Sequence, residues 1–112
     1  MLVHKDVRDT LVSRLLEKIS RVKLGDSLSA EMLSYEGPCM GPVVNDAQFN
    51  KVWSFIDEAK AEGLTVVCGG ERLQREGYFI PPTVFVDVPT TAKVWNEEIF
   101  GPVLCIRVRR VE

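Results

Sequence analysis

Two adjacent carboxylates, Glu97 and Glu98, stand directly before an aromatic residue, a Gly-Pro pair and an apolar run in the stretch WNEEIFGPVLC (residues 95–105). One carboxylate of such a pair can end a short helix. The other can accept hydrogen bonds from a bound ligand, because an ionised carboxylate is an acceptor with two oxygens. Local sequence alone favours the plainer interpretation, in which both glutamates lie in solvent at a helix end and Phe100 is part of the core.

The three cysteines are the other residues that could do chemistry. Cys39 falls in a predicted loop, Cys68 ends a predicted strand and Cys105 lies inside one. A nucleophilic cysteine needs a base within reach, and the one histidine, His4, stands near the first residue. Buried free cysteines usually behave as small hydrophobic residues, so a catalytic Cys39 is kept only as the third hypothesis. We predict no catalytic residue in this chain.

Metal and phosphate sites are not indicated. One histidine with scattered cysteines does not give the ligand spacing of a zinc site. The sequence contains neither G-x-G-x-x-G nor a P-loop, and Gly69-Gly70 after an apolar run is typical of a turn.

Composition narrows the class of protein. The chain has 112 residues, 46% of them hydrophobic and 27% charged, as in an ordinary globular domain or a piece of one. A net charge of −2 argues against a nucleic-acid partner. No apolar run approaches the ~20 residues that span a bilayer, so no membrane partner is expected. An odd number of dispersed cysteines suggests a reducing, cytoplasmic setting.

Two amphipathic helices dominate the pattern. Residues 6–23 carry apolar residues every four positions, with Asp6 expected to cap the first turn and Gly25 to end the helix. A second helix is predicted to begin after Asn45, which with Gln48 resembles a capping box, and to stop at Gly63. Its apolar face consists of Phe49, Val52, Trp53, Ile56 and Ala59.

Short strands and a long loop complete the organisation. Strands are predicted at residues 64–68, 83–88 and 103–111, with Val84, Val86 and Val88 on one face, and a single helical turn at residues 92–97. Residues 26–44 show no period and are predicted to be the least ordered segment. The order helix, loop, helix and three strands predicts an α/β fold with two amphipathic helices against a small sheet.

Four longer motifs occur together and in order: MGPVV (residues 40–44), GGERL (69–73), GYFIPPTVF (77–85) and EEIFGPVL (97–104). With them the chain resembles the aldehyde dehydrogenase superfamily over its whole length, as a partial catalytic domain over residues 1–112. The stretch VWNEEIFGPVLC is most similar to the betaine-aldehyde and aminoaldehyde branch.

The resemblance implies that most of the family's machinery lies outside these residues. The catalytic cysteine of the family, in a Gly-Gln-x-Cys context, is expected shortly before the stretch matching LVHKDV, with the general-base glutamate and the Rossmann-like domain further upstream. The oligomerisation strand is expected after Glu112, which makes a homo-oligomer the expected partner state. The parent enzyme would take a small aldehyde and NAD or NADP, whereas the isolated chain is expected to bind no cofactor and to oxidise no aldehyde.

The resemblance also assigns roles at the opening stretch. It implies that Glu98 binds the nicotinamide ribose, that Phe100 contacts the nicotinamide, and that Glu97 stays structural. We expect Phe100→Ala to destabilise as a buried phenylalanine would, by about 3–5 kcal/mol.

A fragment of an NAD(P)-dependent aldehyde dehydrogenase is the first hypothesis, and a non-catalytic, self-associating interaction module is the alternative. Self-association is expected through exposed apolar faces that include Trp53 or Trp95.

Overall fold

The computed structural model describes residues 1–109, and short strands alternate with helices along the chain. The α-helices are α1 (Arg8–Ile19), α2 (Ala30–Leu33), α3 (Asp46–Ala61) and α4 (Lys93–Asn96). The strands are β1 (Leu2–His4), β2 (Lys23–Leu24), β3 (Cys39–Met40), β4 (Thr65–Cys68), β5 (Thr83–Val86), β6 (Val103–Cys105) and β7 (Arg107–Arg109). The predicted α/β class is confirmed, and α1 and α3 are the two long helices.

A three-stranded sheet lies between these two helices. Strand β5 is central, antiparallel to β4 and parallel to β6, and all four of its residues are buried. Phe85 packs in the cluster on the α3 side, whereas Val84 and Val86 pack in the cluster on the α1 side. Because successive residues of a strand point to opposite faces, a strand buried along its whole length is what a sheet covered on both faces requires.

The predicted strand over residues 83–88 ends early. Asp87 has a φ of 55°, in the left-handed region, and it follows the last residue of β5. This turn moves Val88 to the α3 side, where it is fully buried, so the expectation that Val88 shares a face with Val84 and Val86 is wrong.

The first helix is shorter than the predicted residues 6–23. A 3-10 turn over Lys5–Val7 precedes α1, and Asp6 does not cap the helix, because the N-cap position is Val7. The Asp6 amide instead donates to His4 Nδ1 at 3.2 Å. At the other end α1 stops at Ile19, and the amide of Gly25 donates to the carbonyl of Met40 at 3.2 Å rather than ending the helix.

The segment over residues 26–44 is more regular than predicted. It contains α2, whose N-cap Ser29 accepts a hydrogen bond from the amide of Met32 at 3.2 Å. It also contains β3, which pairs in parallel with β2. Met32 is buried, and a Cβ added at Gly25 would lie 2.7 Å from its Sδ. The segment therefore packs against Gly25, the residue directly before it.

The second helix agrees closely with the prediction. Asn45 Oδ1 accepts from the amide of Gln48 at 2.8 Å, and Gly63 follows the helix with a φ of 82°. The predicted apolar face is buried or partly buried. Trp53 is only 1% exposed, so its expected exposure is wrong, whereas Trp95 keeps part of its surface exposed.

The predicted last strand, residues 103–111, is interrupted. Ile106 separates β6 from β7, and β7 pairs in parallel with β1, a strand that the sequence pattern missed. Residues 110 and 111 of that prediction lie outside the described residues. Within residues 1–109 no helix is long and apolar enough to cross a membrane.

Candidate functional site

Residues 97–102 connect α4 to β6. The first five of them form a turn along the wall of an open cleft of about 520 Å³, and we call these residues the 97–101 turn. Glu97 is the C-cap of α4, and its amide donates to the carbonyl of Lys93 at 2.9 Å. The lining of the cleft includes Trp95, Glu97, Glu98, Phe100, Leu104 and Cys105. An apolar wall and two carboxylates therefore face the same space.

Phe100 is not part of the core. Its side chain is 66% exposed and its φ is 56°, in the left-handed region. A bulky residue in that region is an outlier that the surrounding structure must hold in place. The interpretation of Phe100 as core is therefore wrong, and so is the expected cost of a buried phenylalanine for Phe100→Ala.

Helix α3 contacts the 97–101 turn through three of its side chains. The side-chain amide of Gln48 donates to the carbonyl oxygens of Phe100 at 2.6 Å and of Ile99 at 3.2 Å. One turn further along, Val52 packs so closely on Gly101 that a Cβ there would lie 2.6 Å from Val52 Cγ2. The ammonium of Lys51 lies 5.6 Å from the centroid of the Phe100 ring. Three side chains of one helix face thus contact the turn.

The two glutamates are both exposed and line the same cleft, and they differ in their position relative to α4. Glu97 lies at the end of α4, as the helix-end interpretation predicts, and its charge adds to the effect of Glu58 in raising the pKa of Lys93. Glu98 follows Glu97 on the wall of the cleft, and none of the ion pairs within residues 1–109 includes either glutamate. The Glu98 carboxylate has its hydrogen-bonding capacity open to a ligand.

Comparison with known proteins identifies the family. Residues 1–111 match the family model described as the aldehyde dehydrogenase family. The chain belongs to the aldehyde dehydrogenase family.

The relatives define the branch of the aldehyde dehydrogenases that this chain resembles. It is 45% identical over 108 residues to a betaine aldehyde dehydrogenase of Brucella anthropi, covering 93% of this chain and 21% of the relative. It is 38% identical over 109 residues to the chloroplastic betaine aldehyde dehydrogenase of Beta vulgaris, covering 96% of this chain and 21% of the relative. The chain thus spans about a fifth of the length of these relatives.

Solved aldehyde dehydrogenases share its fold. An NAD⁺ complex of an aldehyde dehydrogenase from Bacillus cereus superposes with a TM-score of 0.87 at 38% identity, covering 98% of this chain and 21% of that one. The short strands and small sheets described above are therefore those of an aldehyde dehydrogenase catalytic domain.

Two of the three cysteines of this aldehyde dehydrogenase segment, Cys68 and Cys105, have the character of structural thiols. Burial raises the pKa of Cys68 and of Cys105, and each Sγ lies 3.5 Å from a backbone carbonyl, of Pro82 and Val94 respectively. A raised pKa lowers the thiolate fraction at neutral pH, which makes both thiols poorer nucleophiles. Cys39 is exposed in β3.

Sequence reasoning missed the contribution of α3 to this site. It assigned Gln48 to the helix cap, whereas the Gln48 side chain donates to Ile99 and Phe100, which are more than 50 positions away in the sequence. A signal was present, because Gln48 stands four residues before Val52 and so lies on the apolar face of α3. A polar side chain on a buried helix face needs a partner, and the partner is the 97–101 turn.

Proposed function

We propose that this chain forms a partial catalytic domain, residues 1–112, of an NAD(P)-dependent aldehyde dehydrogenase, and that Glu98 and Phe100 supply part of the cofactor wall. The observation that supports this best is the exposed Phe100, held at a φ of 56° beside an exposed carboxylate. Packing does not account for an aromatic residue in that position. Betaine aldehyde or an aminoaldehyde is the proposed substrate class, after the relatives that carry those names.

The residues fit a nicotinamide riboside. A carboxylate accepts hydrogen bonds from two vicinal hydroxyl groups, and the Glu98 carboxylate is exposed on a cleft of about 520 Å³. The Phe100 ring lines the same cleft and can lie against a flat heterocycle. No charged side chain among residues 1–109 pairs with Glu98 and competes for its oxygens.

When bound, NAD or NADP accepts the hydride that leaves the substrate carbon. The role of this segment is orientation. Glu98 would hold the ribose hydroxyls, and Phe100 would restrict the poses of the attached ring to those from which hydride transfer can occur. The isolated chain is proposed to oxidise no aldehyde, because none of its three cysteines stands in the Gly-Gln-x-Cys context of the family nucleophile. A cytoplasmic location and a homo-oligomeric parent remain predictions.

The test replaces the matching segment of the Brucella anthropi relative by this chain; we call the product the grafted enzyme. Glu98→Gln keeps the shape of the side chain but weakens acceptance and adds donors that face the ribose hydroxyls. Losing a charge-assisted pair costs about 1.5–3 kcal/mol, so the KM for the cofactor or the rate should change by about ten- to a hundredfold. Glu97→Gln is the matched control and should leave the kinetics near normal. Equal effects of the two changes, or a larger effect of Glu97→Gln, would refute the assignment of Glu98.

Self-association of the 112-residue chain is the second candidate function. Three large apolar side chains on or beside residues 26–44 are strongly exposed: Leu28 at 84%, Leu33 at 71% and Val44 at 83%. Such side chains favour association when they form a contiguous patch. Light scattering at increasing concentration should show oligomers, and Leu33→Ser should weaken them. A monomer at all concentrations would exclude this function.

A further inference from the structure

The side-chain amide of Gln48 is fully committed to the 97–101 turn. Its two N–H groups have two acceptors, the carbonyl oxygens of Phe100 at 2.6 Å and Ile99 at 3.2 Å. Gln48 itself is fixed on the first turn of α3, because its backbone amide donates to Asn45 Oδ1 at 2.8 Å. A rigid helix end thus presents a fixed pair of donors to a turn about 50 residues further along the chain.

These contacts do not serve the helix. In a capping box the side chain three residues into the helix would return to the amide of the N-cap residue. Gln48 lies at that position, yet its side chain bonds to Ile99 and Phe100 instead. Only the Asn45 half of the box is present.

The turn requires an external support at this place. Phe100 has a φ of 56°, which its own bulky side chain disfavours, and its exposed ring does not anchor it in the core. On the C-terminal side Gly101 is already packed against Val52. The Phe100 carbonyl is therefore the point at which a donor can fix the orientation of the whole peptide unit.

We propose that Gln48 is a positioning residue for cofactor binding. Its side-chain amide fixes the left-handed backbone of Phe100 and thereby directs the Phe100 ring and the Glu98 carboxylate toward the cleft. The proposal rests on the function proposed above. It assigns no contact between Gln48 and the cofactor.

An isosteric change tests the proposal on the 112-residue chain itself. Gln48→Glu keeps the size of the side chain, but an ionised carboxylate has no donor and faces two carbonyl oxygens. The matched control is Asn50→Asp, the same amide-to-acid change two residues on, where the amide donates only to Asp46. The other charged side chains on these elements are common to both variants: Asp46, Lys51, Asp57, Glu58 and Lys60 on α3, and Glu97 and Glu98 on the turn.

The first readout is the backbone conformation of Phe100 by NMR. A positive φ brings the amide proton close to its own Hα, so the unchanged chain and Asn50→Asp should show a strong intraresidue cross-peak. In Gln48→Glu this cross-peak should weaken at neutral pH and recover as the pH falls and the introduced carboxyl gains a donating O–H. A dispersed core spectrum establishes that the variant is folded. A cross-peak in Gln48→Glu that is unchanged at every pH would overturn the proposal.

The second readout is the kinetics of the grafted enzyme at neutral pH. Gln48→Glu should raise the KM for the cofactor about tenfold, because it releases the turn that carries Glu98 and Phe100. The KM for the aldehyde should stay within about twofold, because no contact between Gln48 and the aldehyde is proposed. If Glu98→Gln is silent in the same enzyme, the proposed function fails, whatever Gln48→Glu does. If Glu98→Gln is damaging while Gln48→Glu behaves like Asn50→Asp, the positioning role alone fails.

Discussion

Two residues other than glycine have a positive φ within residues 1–109, and their side chains have different surroundings. Asp87, at 55°, follows β5, and its carboxylate is paired with Arg8. Phe100, at 56°, precedes β6, and its ring is 66% exposed. The same backbone conformation thus occurs once with a small polar residue and once with a large aromatic one.

Folding explains the first position but not the second. Aspartate tolerates the left-handed region, and the turn at Asp87 carries Val88 to the α3 side of the sheet, where it is fully buried. Phenylalanine is disfavoured in this region, and the exposed ring contributes little to the core. Backbone strain that packing does not offset is found at functional positions, which is why the proposed binding site is placed at Phe100 rather than at Asp87.

The largest expected effect separates the core from the site. Phe85→Ala removes a fully buried ring from the centre of the sheet and should lower the free energy of unfolding by about 3–5 kcal/mol. Phe100→Ala should lower it by less than about 1 kcal/mol, because the ring is 66% exposed. Urea unfolding of the 112-residue chain measures both changes. Similar losses at the two positions would mean that Phe100 is a structural residue after all.

Glycine substitutions measure the backbone strain at each position. Phe100→Gly should leave stability unchanged or raise it by up to about 1 kcal/mol, because relief of left-handed strain exceeds the entropy that glycine adds to the unfolded chain. Asp87→Gly should have a net effect within about 0.5 kcal/mol, because it also removes the exposed pair with Arg8. A clear loss of stability for Phe100→Gly but not for Asp87→Gly would reverse the comparison.

A smaller effect concerns the thiols on either side of β5. Burial raises the pKa of Cys68 and Cys105 above the ordinary value of 9.0, so the folded chain keeps these protons to higher pH than the unfolded chain. The free energy of unfolding should therefore fall as the pH rises above about 9, since the folded state then binds more protons. Cys105→Ala should reduce this fall, whereas exchange of the exposed Cys39 should not. An identical alkaline profile for Cys105→Ala would contradict the burial of that thiol.

Local pattern was sufficient where one element carries its own signals. The cap at Asn45, the apolar face of α3 and the stop at Gly63 are all written within residues 45–63, and each is confirmed. The same holds for the β-branched run of β4 and for the helix-end position of Glu97. Such features depend on spacing and capping chemistry, which a sequence displays directly.

Long-range pairing was not predictable in this way. Strand β1 has only three residues and no periodic pattern of its own, and its partner β7, which lies within the predicted strand over residues 103–111, is more than 100 positions away. Strand β3 lies in the predicted loop over residues 26–44 and is formed by pairing with β2, which local pattern does not show either. The left-handed φ of Phe100 and the reach of Gln48 to it also depend on tertiary contacts. The candidate site was therefore found as a motif, and its support from α3 was missed.

The central claim is that the 97–101 turn forms part of the cofactor wall, and a crystal structure of the grafted enzyme with NAD tests it most directly. We expect the Glu98 carboxylate to accept hydrogen bonds from both hydroxyls of the nicotinamide ribose at about 2.7 Å, with the Phe100 ring beside the nicotinamide and its carbonyl still bonded to Gln48. A bound cofactor whose ribose hydroxyls meet other acceptors, with Glu98 directed into solvent, would contradict the account.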